Sequence, residues 1–131
     1  MKPEPHTGFW RGRGKSFACA LRGIAVLLRT QTNARIHLLA TVLVVAAGFL
    51  FRISRGEWVP LMFAISIVWI AEAVNTAIEA LADRITREND DAIRRAKDVA
   101  AGAVLLAAIT AAIIGLLILG PHAWAFVRRG F

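Results

Sequence analysis

The chain has 131 residues, 57% of them hydrophobic, and a mean hydropathy of +0.58, which excludes an ordinary soluble domain of this size. Sixteen Lys and Arg against nine Asp and Glu give a net charge of +7, but the basic residues bracket apolar segments instead of forming one tract, which points to membrane topology and away from nucleic acid. The single cysteine, Cys19, excludes an intrachain disulfide and a Cys-clustered zinc site.

Residues 1–15 read as a flexible basic N-terminus, disordered over the first seven residues where Pro3 and Pro5 fall. Charge punctuates the first 35 residues, and no uninterrupted apolar core leads to a small-residue cleavage site, so no cleavable signal peptide is expected. "GFWRGRGKS", residues 8 to 16, ends in the Gly-Lys-Ser of a phosphate-binding loop. The first glycine of that motif would fall on Phe9, and no strand precedes it, so this reading is set aside.

"SFACALRGIAVLLRT", residues 16 to 30, places Phe17, Leu21, Ile24 and Leu28 at helical spacing, with Lys15, Arg22 and Arg29 elsewhere. That pattern predicts a basic amphipathic helix over 16–31, lying on the cytoplasmic leaflet. Three spans come after it. "IHLLATVLVVAAGFLF", residues 36 to 51, becomes long enough when extended to 33–53, with Arg35 and Arg52 snorkelling. The second span, 58–83, has an apolar part from Trp58 to Ala71 and then carries carboxylates. The third, 96–120, contains "VAAGAVLLAAITAAIIGLLIL", in which Thr110 is the only polar side chain; at about 1.5 Å per residue this run crosses a hydrocarbon core of about 30 Å. The expected fold is therefore an all-α membrane protein forming a single domain, three spans plus a surface helix. Twelve Lys and Arg lie before the first span or between the second and third, against four on the other side, so the N-terminus and the loop 84–98 are expected in the cytoplasm.

The chemistry concentrates in "WIAEAVNTAIEALAD", residues 69 to 83. At about 100° per residue, Glu72, Asn75, Glu79 and Asp83 fall within an arc of about 80°, with Thr76 beside them. The stripe begins within the inner leaflet and reaches the cytoplasmic surface at Asp83. Ionisable groups inside a span are expensive and point to function; the bland alternative is a polar seam that glues helices together. Glu72, on the apolar side, suits a base that accepts a proton from an alcohol. Glu79, two turns nearer the cytoplasm, suits magnesium shared with substrate phosphates, and Asn75 between them can orient a substrate or a carboxylate. In "RRAKDVAAGAV", residues 94 to 104, Lys97 is equally suited to a phosphate and to a positive-inside anchor, while Ala100, Ala101, Gly102 and Ala103 permit close approach of another helix. The three histidines, His6, His37 and His122, are too scattered for a metal site.

These residues resemble the bacterial diacylglycerol kinase family, small integral-membrane kinases that include undecaprenol kinases. "EAVNTAIEALAD" at 72–83 and "AKDVAAGAV" at 96–104 look like its two signatures in order and spacing; "FACALRG" at 17–23 is similar to its surface helix, and "NARIH" at 33–37 to its undecaprenol-kinase-like branch. The resemblance covers roughly residues 16–120. It implies a homotrimer in the bacterial inner membrane that transfers the γ-phosphoryl group of ATP to the hydroxyl of a membrane lipid alcohol, with Mg2+. By position it makes Glu72 the catalytic base and Asn75 its active-site partner, both also facing the lipid substrate. It makes Glu79 a metal ligand, and Lys97 and Asp98 part of the nucleotide and substrate site; Glu88 falls near the adenine end, and Lys15 joins the nucleotide-binding set. Gln31 stands where the family commonly has a second metal-binding glutamate. It offers a neutral carbonyl oxygen and no charge, which bears on metal affinity and on the number of ions held. Asn89 and Asp90 replace a common Tyr-His pair, which bears on nucleotide preference.

Two other classes are weighed. A pore or proton-coupled transporter would continue the stripe toward the outer face, where Trp58 to Ala71 offers only Ser66. A non-catalytic lipid-binding scaffold gains weight from Gln31.

Overall fold

The computed structural model describes residues 7–85 and 90–128, with side chains from residue 14 onward. Four helices make up these residues: α1 (Thr7–Thr30), α2 (Thr32–Leu50), α3 (Arg55–Ile85) and α4 (Asp91–Arg128). The last three are long and apolar enough to cross a membrane. Helices are the natural solution there, because each satisfies its own backbone hydrogen bonds without water.

Three side-chain pairs fix the antiparallel register. Lys97 Nζ meets Asp83 Oδ1 at 3.0 Å, joining the end of α3 to the start of α4. At the opposite end His122 Nε2 lies 2.8 Å from Glu57 Oε1, joining the start of α3 to the end of α4. Between them Trp69 Nε1 donates to Thr41 Oγ1 at 3.1 Å, setting α2 against α3. The α1 end of the bundle therefore collects the start of α2, the end of α3 and the start of α4. α3 packs chiefly on α4 and less on α2, and it supplies half of the buried positions, including Leu61, Ala64 and Val68.

Element ends follow local chemistry. Gln31, extended at φ −103° and ψ 120°, separates α1 from α2. Arg35 does not snorkel away from the bundle: its Nε and its terminal guanidinium nitrogen donate to the carbonyls of Leu28 (3.0 Å) and Arg29 (2.6 Å), capping the last turn of α1. After α2 the amide of Ile53 donates to the carbonyl of Gly48, and that of Arg52 to Phe49, a Schellman ending with Arg52 in the left-handed region at φ 53°. α3 then starts with a reciprocal cap, in which Ser54 N donates to Glu57 Oε2 (2.7 Å) and Glu57 N to Ser54 Oγ (3.4 Å). Asp90 Oδ1 caps α4 by accepting from the amides of Ala92 and Ile93.

α1, α3 and α4 are longer than the sequence pattern draws them, whereas α2 ends at Leu50, short of the expected residue 53, where the Schellman turn closes it. α1 starts at Thr7, before the amphipathic segment, since no proline after Pro5 interrupts it. α4 continues beyond residue 120 through Pro121 to Arg128. The proline removes one backbone donor, but the extension is held by His122 on Glu57 and by Phe126 against Phe51, ring centroids 5.7 Å apart.

The α2–α3 turn is tight. A Cβ on Gly48 would come within 2.7 Å and 2.9 Å of the Trp58 ring. Gly48→Ala is therefore expected to lower resistance to unfolding in mixed micelles by about 1–3 kcal/mol. Arg52→Gly, which relieves a left-handed non-glycine residue, is expected to raise it by up to about 1 kcal/mol. The reverse order in a detergent titration would contradict this description of the turn.

Candidate active site

The polar stripe of α3 forms, and its burial is graded. Glu72 is 1% exposed and Asn75 6%, Thr76 and Glu79 are half-buried, and Asp83 is exposed. The helix thus carries one polar face from a dry position to an open one, as the about 100° turn per residue requires. Asn75 Nδ2 donates to Glu79 Oε1 at 3.2 Å, one turn along, so the amide orients the carboxylate below it. Three buried polar atoms have no partner among the described residues: Glu72 Oε2, Asn75 Oδ1 and Thr76 Oγ1. An unpaired buried polar atom costs about 1–3 kcal/mol, and three together on one face mark a place shaped for a polar ligand.

Lys97 joins this face through its ion pair with Asp83. The pair is exposed to solvent screening and therefore weak, so the ammonium is free to turn to another anion. Asp98 lies exposed on α4, with Arg94 at 3.7 Å, and Arg94 also reaches Asp91 at 3.1 Å. The helix approach expected of the small residues is made by Ala100, buried as Ala82 is on α3, with Val104 a turn further along. Gly102 takes no part in it, since a Cβ there would meet nothing within 4 Å.

Other expected residues are not drawn in. Gln31 is half-buried at the break between α1 and α2, on the same end of the bundle as Glu79, and no described contact joins the two. Lys15 is exposed on α1, likewise without a described contact to the stripe. Glu88 lies outside the described residues. The amide and hydroxyl oxygens of Asn75 and Thr76 add more to this face than their spacing alone indicates, because spacing does not reveal unpartnered burial.

No group of three or more His, Cys, Asp and Glu side chains that could hold a metal ion occurs among the described residues. The donors present, the Glu79 carboxylate and the unpaired Asn75 oxygen, are hard oxygens. They fit an ion held by one or two side chains and otherwise by substrate phosphates, and not a closed protein cage.

Residues 18–119 match the family described as prokaryotic diacylglycerol kinase. The chain belongs to this family. The match encloses the whole stripe together with Lys97 and Asp98. The chain is similar to a protein named undecaprenol kinase from Bacillus subtilis, 42% identical over 107 residues that cover 82% of this chain and 87% of the relative. It is also similar to proteins named diacylglycerol kinase from Synechocystis (38% identical, covering 81% of this chain and 61% of the relative) and Pseudomonas aeruginosa (31%, 67% and 72%). The chain is accordingly a membrane lipid kinase, of the diacylglycerol or undecaprenol kind. The relatives are named as kinases, and neither the pore nor the scaffold reading draws support from them.

Replacing Glu72 by the apolar Met, near it in volume, removes a buried carboxyl with an unpartnered oxygen. Glu72→Met is expected to raise resistance to unfolding by about 1–3 kcal/mol. A clear loss of stability, read in the same detergent titration, would show that Glu72 is a structural strut.

Proposed function

We propose that the chain transfers the γ-phosphoryl group of ATP to the hydroxyl of a membrane lipid alcohol, at the cytoplasmic face of the bacterial inner membrane. The observation that carries this reading is the gradient of the stripe: a buried carboxylate with a free oxygen at one end, and a lysine-bearing open end at the other. Such a face serves one reactant in lipid and one in water. The excess of Lys and Arg at the α1 end supports a cytoplasmic position for that end.

Glu72 is the base. The acceptor hydroxyl reaches it from the membrane side, and the Glu72 carboxylate takes the proton as the alcohol oxygen forms its bond to phosphorus and the bond to the ADP oxygen breaks. Asn75 holds Glu79 in place and presents its own oxygen to the same space. Glu79 and the Asn75 oxygen would hold a magnesium ion, whose chemistry when bound is to neutralise charge on the nucleotide phosphates. Gln31 contributes at most a neutral oxygen, so the chain offers that ion a single carboxylate. Lys97 exchanges Asp83 for phosphate, while Asp98, Lys15 and Glu88 complete the nucleotide side. Positioning and electrostatics supply most of what phosphoryl transfer requires, so a scaffold this small suffices.

A homotrimer completes the enclosure. Three spans per chain leave the apolar flanks of α2 and α4 largely exposed, and the open face at Gly102 suits a neighbouring helix. α1 lies on the cytoplasmic leaflet, with exposed Phe17, Leu21 and Ile24 turned to lipid and its basic residues to the headgroups.

The test is transfer of labelled γ-phosphate from ATP to diacylglycerol and to undecaprenol in parallel micelle assays. Label is expected in at least one lipid, and none after magnesium is removed with EDTA. Lys97→Met is expected to raise KM for ATP about tenfold or more, the worth of a charge-assisted contact, while Arg94→Met stays within about twofold. Absence of label from both lipids with folded protein would overturn the reading.

A further inference from the structure

One polar side chain on the membrane side of the stripe has no role in the mechanism above. A cleft of about 640 Å³ runs between α2, α3 and α4, and of the side chains lining it only His37 and Thr41 are polar. The Thr41 oxygen already accepts from the Trp69 indole, at 3.1 Å, which leaves this side chain only its O–H and one lone pair. His37, half-buried in the first turns of α2, is therefore the nitrogen-bearing group that this apolar cleft presents to whatever enters it from lipid.

The same Thr41–Trp69 bond fixes its depth. α2 and α3 are antiparallel, so moving toward the α1 end means four residues back from Thr41 to His37, about 6 Å, and three residues on from Trp69 to Glu72, about 4.5 Å. His37 and Glu72 thus stand at nearly one level on neighbouring helices. Glu72 Oε2 is buried there with no partner. An imidazole is both donor and acceptor, and a carboxylate accepts only. A hydroxyl between them meets a donor for its oxygen and an acceptor for its proton.

We infer that His37 binds the hydroxyl of the lipid alcohol, donating from its imidazole N–H to the alcohol oxygen while the alcohol donates its proton to Glu72. The inference rests on the kinase reading above and deepens it by adding a contact from α2 to a site otherwise built on α3 and α4. His37 holds the acceptor in the orientation in which Glu72 reaches the hydroxyl proton; it takes no part in the nucleotide side, which lies beyond Glu79.

Steady-state kinetics with saturating ATP and varied lipid alcohol test it. His37→Leu is expected to raise KM for the lipid about tenfold, the worth of one hydrogen bond at a buried site, and to leave KM for ATP unchanged; His37→Gln, which keeps a donor and an acceptor, stays within about threefold of wild type. A second measurement uses wild-type protein alone: with imidazole-labelled histidine, a short-chain form of the lipid alcohol that wild-type protein phosphorylates, added without ATP, should shift the His37 resonance and leave that of His122, at the far end of the bundle, unmoved. An unchanged lipid KM in His37→Leu, or lipid and ATP KM values that rise together, overturns the inference. So does an unmoved His37 resonance, which decides the matter should His37→Leu not fold. Failure of wild-type protein to phosphorylate either lipid would instead remove the kinase reading itself.

Discussion

A carboxylate carried into a membrane span has to be sheltered from hydrocarbon, and the rest of this molecule is arranged around that demand. Glu72 sits on the face of α3 turned into the bundle, 1% exposed. Its free oxygen is a liability for stability and the opening for a substrate. Asn75 and Thr76 share the same condition one turn away, so the strain of unmet polar groups is gathered on one face instead of being spread through the core.

Helix connectivity turns that face into a site. Because the spans alternate in direction, the start of α2, the end of α3 and the start of α4 must lie at one end. The Asp83–Lys97 pair draws the lysine at the head of α4's small-residue segment against the open end of the stripe. Arg35, capping the carbonyls of Leu28 and Arg29, fixes where α1 leaves the bundle. The opposite end is fastened by different means, a Schellman turn, a reciprocal Ser54–Glu57 cap and the Glu57–His122 contact, none of which involves the chemistry. The end away from the cytoplasmic residues of the stripe is thus purely structural, while the α1 end combines fastening with reactivity.

Much of this is legible in the residues. Long apolar runs give spans because a bilayer imposes one length, and the three spans lie where those runs lie. The 3.6-residue period places Glu72, Asn75, Glu79 and Asp83 on one face, which α3 reproduces. Span ends are less legible, since they depend on partners distant in sequence: α4 passes Pro121 because Glu57 and Phe51 hold its last two turns. "SRGE" at 54–57 carries the signal of a capping box and could have marked the start of α3. His37 closes the "NARIH" stretch, but the stretch itself gives it no role; only the α2–α3 register brings it level with Glu72.

The claim on which the account turns is that Glu72 takes the proton of the acceptor. Single-turnover transfer from ATP to the lipid that wild-type protein phosphorylates, compared between wild type and Glu72→Gln at saturating concentrations of both substrates, tests it most directly. The account predicts that the substitution slows the chemical step about a hundredfold or more while leaving both substrates bound as before. A single-turnover rate within about tenfold of wild type would contradict it, and would place the base elsewhere on the stripe.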